Sequence, residues 1–250
     1  MLSFDGSRLY SGSRDNTIRE WSLSSGECVR LLEGHSGEAT SLVLSSDGSR
    51  LYSGSVDKTI RELSSLNGEC LRRFEGHSHS VTSLALSSDG SRLYSGSEDA
   101  TIREWSVSSG QCVRRLQGHS WHVTSLALSS DGNRLYSGST DRTIREWFLS
   151  SGECARHLEG HSSWVTTLVL SPDGSRLFSG SLDKTIREWS LSSGECVRRL
   201  EAHSDTVTNL VLSSDGRLIG GLLSGSLVAF DVSTNQGRFY AMVAHTSRPL

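Results

Sequence analysis

Along most of the chain, short runs of alternating apolar and polar residues are cut by Gly, Ser and Asp about every ten residues. Residues 77–118, HSHSVTSLALSSDGSRLYSGSEDATIREWSVSSGQCVRRLQG, show the pattern. Val81, Ser83 and Ala85 alternate with Thr82, Leu84 and Leu86, which predicts a strand. Ser87-Ser88-Asp89-Gly90 predicts a turn and Arg92-Leu93-Tyr94-Ser95 a second strand, closed by Gly96-Ser97-Glu98-Asp99. Thr101 to Val107 reads as a third strand, Ser108-Ser109-Gly110 as a turn, and Cys112 to Leu116 as a fourth strand. Helical periodicity is absent. Both faces of these strands carry apolar residues, so each antiparallel four-stranded sheet must pack between two others.

The unit recurs. His35, His77, His119, His161, His203 and His245 are 42 residues apart, each preceded by Gly or Ala. A period in this range marks a repeat architecture whose single unit cannot bury its own apolar face. Radial stacking of four-stranded sheets solves that burial and leaves only short, protected edges. The predicted fold is therefore all-β: a β-propeller of four-stranded antiparallel blades in one domain, residues 1–250. Its six repeats fall roughly at 1–33, 34–75, 76–117, 118–159, 160–201 and 202–250.

Composition narrows the function. Charged residues make up 21% and the net charge is −3, so nothing predicts binding to nucleic acid or an acidic membrane. The apolar stretch from Leu218 to Phe230 is broken by Gly and Ser and is too short to span a bilayer. The first residues, MLSFDGSR, lack the basic and hydrophobic regions of a secretory signal, which makes cytoplasm or nucleus the expectation. Cys28, Cys70, Cys112, Cys154 and Cys196 share one repeat position. On successive blades they would lie about 20 Å apart, too far for disulfides or a zinc site. They are expected to be reduced and half-buried, with no metal and no cofactor.

The Gly-His pair, the Ser-Gly-Ser-x-Asp turn, the Ile-x-x-Trp strand and the 42-residue period resemble the WD-repeat β-propellers, related to the G-protein β subunit. The resemblance covers essentially the whole chain. It departs where the family's Trp-Asp pair has its Asp, which is Ser22, Ser64, Ser106, Phe148 or Ser190 here, and where Leu63 replaces the Trp. It implies a buried chain of hydrogen bonds in each blade, carried by His77, Ser95, Asp99 and Trp105. The same set recurs as His119, Ser137, Asp141 and Trp147, and as His161, Ser179, Asp183 and Trp189. A Ser-His-Asp set invites comparison with a catalytic triad. Recurrence in blade after blade, with Trp as fourth member, makes it structural, and no catalytic residue is assigned.

Neither end of the array is a whole repeat. Met1 aligns with Val43, so the first blade lacks the start of its inner strand, and His245 to Leu250 could supply it. His245 would then meet Asp15, Ser11 and Trp21. The rival reading is a fragment of a seven- or eight-bladed array. The sixth repeat is degenerate, without the turn Asp and the Trp.

Positions that differ among near-identical repeats mark the candidate working surface. One variable set follows each His-Ser and includes Glu38, His79, Trp121, His122, Trp164 and Asp205. A second flanks the turn Asp and includes Arg14, Lys58, Glu98, Arg142 and Lys184. The family resemblance places both on one face near the mouth of the central channel, the usual partner-binding face. Trp121 and Trp164 are the kind of aromatic anchors that dominate interfaces. The four cations could hold an acidic or phosphorylated segment.

By contrast, Arg61-Glu62, Arg103-Glu104, Arg145-Glu146 and Arg187-Glu188 hardly vary. Their Glu is expected to pair with Arg from an adjacent strand, such as Arg92 or Arg114 in the third repeat.

The leading functional expectation is a non-enzymatic scaffold that presents this face to a protein or peptide. Near-identical repeats with diversified loops also resemble the sensor arrays of NACHT-type receptors and kinase-linked propellers. A third expectation is an enzyme at the channel mouth, using His79, His122 and Glu98.

Overall fold

The computed structural model describes residues 1–201, 205–213, 215–232 and 239–242. They form a six-bladed β-propeller of antiparallel sheets. The third blade is representative, with strands Val81–Leu86, Arg92–Ser97, Thr101–Ser106 and Cys112–Gln117 paired in sequence order. The second strand runs two residues beyond its predicted end, because Ser97 still pairs with Val81 and is fully buried. Gly96 stays in the strand because a side chain there would strike Ser83 Oγ and the Val123 side chain of the next blade.

The first blade corrects the expectation of four strands throughout. It has three, Arg8–Gly12, Ile18–Ser22 and Cys28–Leu32, with a single bridge from Leu2 to Leu9 standing where the missing strand would end.

Consecutive blades bury apolar layers between them. Tyr52, Ile60 and Phe74 of the second blade, for example, pack with Leu93 and Trp105 of the third. Similar layers join the first to the second, third to fourth, fourth to fifth and fifth to sixth blades. Among the described residues no such layer joins the sixth blade to the first. Leu9 is 37% exposed, whereas Leu51, Leu93, Leu135 and Leu177 in the same register are fully buried. Across the seam Leu227 is 39% exposed where Ile186 is fully buried. His245 and the closure expected of it lie outside the described residues, as does His203.

The joints from the second blade to the fifth are also stitched at two rims. At the inner rim Thr124 and Thr166 donate their hydroxyls at 2.6 Å to the carbonyls of Val165 and Val207 in the following blade. At the outer rim Arg30, Arg72 and Arg114 donate to the carbonyls of Ser65, Val107 and Leu149, again one blade on. The same arginines pair with the invariant glutamates. Glu104 is 6% exposed and lies between Arg92 Nε at 3.3 Å and Arg114 Nε at 3.5 Å. Glu62 is likewise held by Arg50 and Arg72, and Glu146 by Arg134 and Arg156.

The cysteines sit on the outer strands as free thiols. Cys28, Cys70 and Cys112 are exposed and only Cys154 and Cys196 half-buried, because an outermost strand has no neighbour to cover it.

Candidate partner-binding face

The internal hydrogen-bond chain builds the platform. In the fourth blade Trp147 Nε1 donates to Ser137 Oγ at 2.8 Å. Ser137 therefore uses its own proton on His119 Nε2 at 2.7 Å, and His119 Nδ1 donates to Asp141 Oδ2 at 2.7 Å. The same contacts join Trp105, Ser95, His77 and Asp99, and join Trp189, Ser179, His161 and Asp183. In the second blade, His35 bridges Ser53 and Asp57 at 2.8 Å each, and the buried Leu63 offers no donor. The first blade differs again: Trp21 still donates to Ser11, but Asp15 Oδ2 accepts Arg19 Nη2 at 2.7 Å.

The chain's Asp reaches two loops at once. Asp141 Oδ2 also accepts the Ser120 amide, and its Oδ1 accepts the amide and hydroxyl of Thr143. Burial would raise the carboxyl pKa, but the hydrogen bonds from His119 and Thr143 outweigh it and leave the pKa well below the ordinary range. Backbone bonds from Val56 to Glu38, Glu98 to Ser80, Thr140 to His122 and Leu182 to Trp164 close the same pair of loops in successive blades. Both variable sets therefore stand side by side on one face.

The residue after the turn Asp is forced into left-handed backbone, because the Asp Oδ1 bonds close the turn around it. Its φ is 71° at Asn16 and Lys58, 63° at Ala100, 73° at Arg142 and 66° at Lys184. Left-handed backbone disfavours side chains other than Gly and, less so, Asn and Asp. Arg and Lys stand there nonetheless. Sequence reading alone missed this, because nothing in the composition of Asp-x-Thr announces a positive φ.

Trp121 is 62% exposed and Trp164 53% exposed. They line one cleft of about 550 Å³, between the fourth and fifth blades, together with His122, Thr140 and Arg142. The indole of Trp121 meets the His122 ring edge-on at 6.3 Å. The cleft is braced from below: Ser139 Oγ donates to the Trp121 carbonyl, and the Thr140 amide to that of His122.

The other variable residues are spread over the remaining blades. Arg14 Nε lies 3.8 Å from Glu38 Oε2, and Glu98 accepts the Ser80 hydroxyl at 2.7 Å. Asp205 accepts the amides of Thr206 and Ser224. In the degenerate sixth blade it thus ties the loop to the turn from the opposite side, in place of the missing turn Asp. His79 is exposed; its ring meets the Ser78 hydroxyl at 3.1 Å, and its carbonyl accepts the Ser97 hydroxyl. Lys58 and Lys184 are exposed. The cleft that holds His122 contains neither His79 nor Glu98, so the three residues named for catalysis are not assembled there. Among the described residues no group of three His, Cys, Asp or Glu side chains could hold a metal ion.

Comparison with known proteins agrees with this architecture. The WD domain, G-beta repeat family matches residues 2–22, 26–61, 68–106, 110–147, 152–190 and 194–227, and the chain belongs to it. Short segments resemble curated WD-repeat proteins. One is 53% identical over 36 residues to F-box/WD repeat-containing protein 7 of Drosophila melanogaster, covering 14% of this chain and 3% of that protein. Another is 51% identical over 39 residues to human WD repeat-containing protein 86, covering 16% and 10%. A third is 50% identical over 32 residues to mitochondrial division protein 1 of Kluyveromyces lactis, covering 13% and 4%. The chain thus spans a tenth or less of the length of these relatives.

Proposed function

We propose that the chain is a non-enzymatic interaction platform that captures a protein or peptide on the loop face. WD-repeat propellers generally mediate protein–protein contacts. The observation that carries the reading here is the pairing of Trp121 and Trp164. Both stand at positions that vary between repeats, both are exposed, and both line one cleft. Exposed tryptophans held on hydrogen-bonded loops bury a large area on binding and have little freedom to lose. The remaining variable residues surround this anchor as a polar rim.

The double substitution Trp121→Ala, Trp164→Ala tests the proposal. Capture of partners should be abolished while the unfolding midpoint stays near that of the wild type, because both side chains are already in solvent. A collapse in stability, or undiminished capture, overturns the reading.

A further inference from the structure

Resting on that proposed face, we infer that the cleft between the fourth and fifth blades takes an acidic peptide. A partner carboxylate pairs with Arg142, and the apolar side chain beside it lies between Trp121 and Trp164. What is left over is donor capacity: the acids of this face stay charged, but their lone pairs are already engaged, while a guanidinium in the cleft is not. The acids of the loop face are engaged: Glu38 with Arg14, Glu98 with Ser80, and Asp205 with two backbone amides. Asp141, which also lines the cleft, is filled by four donors from His119, Ser120 and Thr143. Arg142 has no ion-pair partner among the described residues and is exposed. The cleft therefore offers one unpaired guanidinium in a lining shared with two exposed indoles.

The turn backbone, common to Asn16, Lys58, Ala100 and Lys184 as well, fixes where the Arg142 side chain leaves the loop. Arg142 occupies the left-handed turn position at φ 73°, where Gly or Asn would be unstrained. The arginine side chain supplies a planar fork of donors suited to a carboxylate. A larger hollow of about 600 Å³ on the opposite face, between the same two blades, makes a useful contrast. Its Arg134 is already paired with Glu146, and its Asp131 and Asp173 accept bonds from Ser129 and Ser171. The one cation of that lining is therefore already paired.

A random peptide library displayed on phage, selected on the full chain, tests the inference. Binding of the enriched peptides is then read by tryptophan fluorescence against wild type, Arg142→Asn, Trp164→Ala and, as a remote control, Lys58→Asn. Asn is chosen because it tolerates the left-handed backbone. The expected result is a consensus with Asp or Glu next to an apolar residue. Affinity should fall at least about tenfold in Arg142→Asn and Trp164→Ala but not in Lys58→Asn, and should weaken as salt is raised. Peptides that need Trp164 but carry no acidic residue overturn the ligand class and leave the binding face intact. Peptides that bind the Trp121→Ala, Trp164→Ala double variant as tightly as wild type overturn the face itself. Phosphoserine versions that bind more than about tenfold tighter than the Asp or Glu versions overturn the carboxylate assignment.

Discussion

Arg72 reaches out of its own blade to the Val107 carbonyl, donating from Nη1 at 2.8 Å while its Nε lies 3.6 Å from the buried Glu62. One guanidinium thus neutralises a carboxylate inside the second blade and fastens that blade to the third. Arg50 holds the other oxygen of Glu62 and, in the hydrogen bonds described, reaches no neighbouring blade.

The two arginines should therefore differ in worth. Arg72→Ala removes a charge-assisted bond to a backbone carbonyl and half the support of a buried carboxylate, at a cost of about 2–3 kcal/mol. Arg50→Ala removes the other half of that support but no bond to the next blade, and should cost about 1–2 kcal/mol less. Urea unfolding of the two variants checks this. Equal losses would mean that the bond across the blade boundary contributes nothing.

The Glu between two arginines could be anticipated from the sequence, because Glu104, Arg92 and Arg114 fall on adjacent strands once the turns are placed. The reach to Val107 could not. It depends on how one sheet is rotated against the next, which no residue spacing records. The turn at Gly96-Ser97 misled for a local reason: small residues that read as a loop are here strand residues kept small by the neighbouring blade. The first blade was legible as incomplete, and its exposed Leu9 is the physical consequence. The variable loops were legible only as a set. That Trp121, His122, Arg142 and Trp164 share one cleft, and that the acids around it are engaged, needed the backbone bonds that fold each loop onto its turn.

The hydrogen-bond chain yields a second prediction. Trp147→Phe keeps most of the buried ring but removes the donor to Ser137, which is fully buried. Loss of the bond together with imperfect filling of the indole site should cost about 2–3 kcal/mol. The fourth blade should remain folded in this variant, since the second blade keeps its His35, Ser53 and Asp57 contacts with Leu63 in the Trp position. Thermal unfolding measures the loss, and far-ultraviolet circular dichroism checks that the strands persist.

Acid should act on the second blade in two steps. His35 is held below its ordinary pKa of 6.5, chiefly by burial, although Asp57 pulls in the other direction. The unfolded chain therefore takes up this proton at a higher pH than the folded one. The stability that results is complete above about pH 6.5 and is lost as pH falls below it. Burial would raise the pKa of Asp57, but hydrogen bonds from Thr59, His35 and the Ser36 amide overcome it and bring the group to about 2. Its contribution is complete above its ordinary 3.8 and is lost as pH falls toward 2. Melting curves should change little from about pH 8 to 7, then shift downward, more steeply below about pH 4. His35→Gln should weaken the upper step and preserve the lower. An unchanged upper step in that variant would remove His35 from the account.

The left-handed turn positions set stability against binding. Ala100 and Arg142 sit at φ 63° and 73°, a conformation that costs an L-residue about 1–2 kcal/mol, of which Gly returns roughly 0.5–1 through its greater freedom when unfolded. Ala100→Gly should therefore raise stability by about 0.5–1 kcal/mol. Arg142→Gly should gain a similar amount, because its exposed guanidinium has no ion-pair partner among the described residues to lose. If both variants are stabilised but only Arg142→Gly loses affinity for a captured peptide, the arginine is retained for recognition at the expense of the fold. If Arg142→Gly is instead destabilised, the guanidinium supports the turn, and its place in the cleft follows from structure rather than from binding.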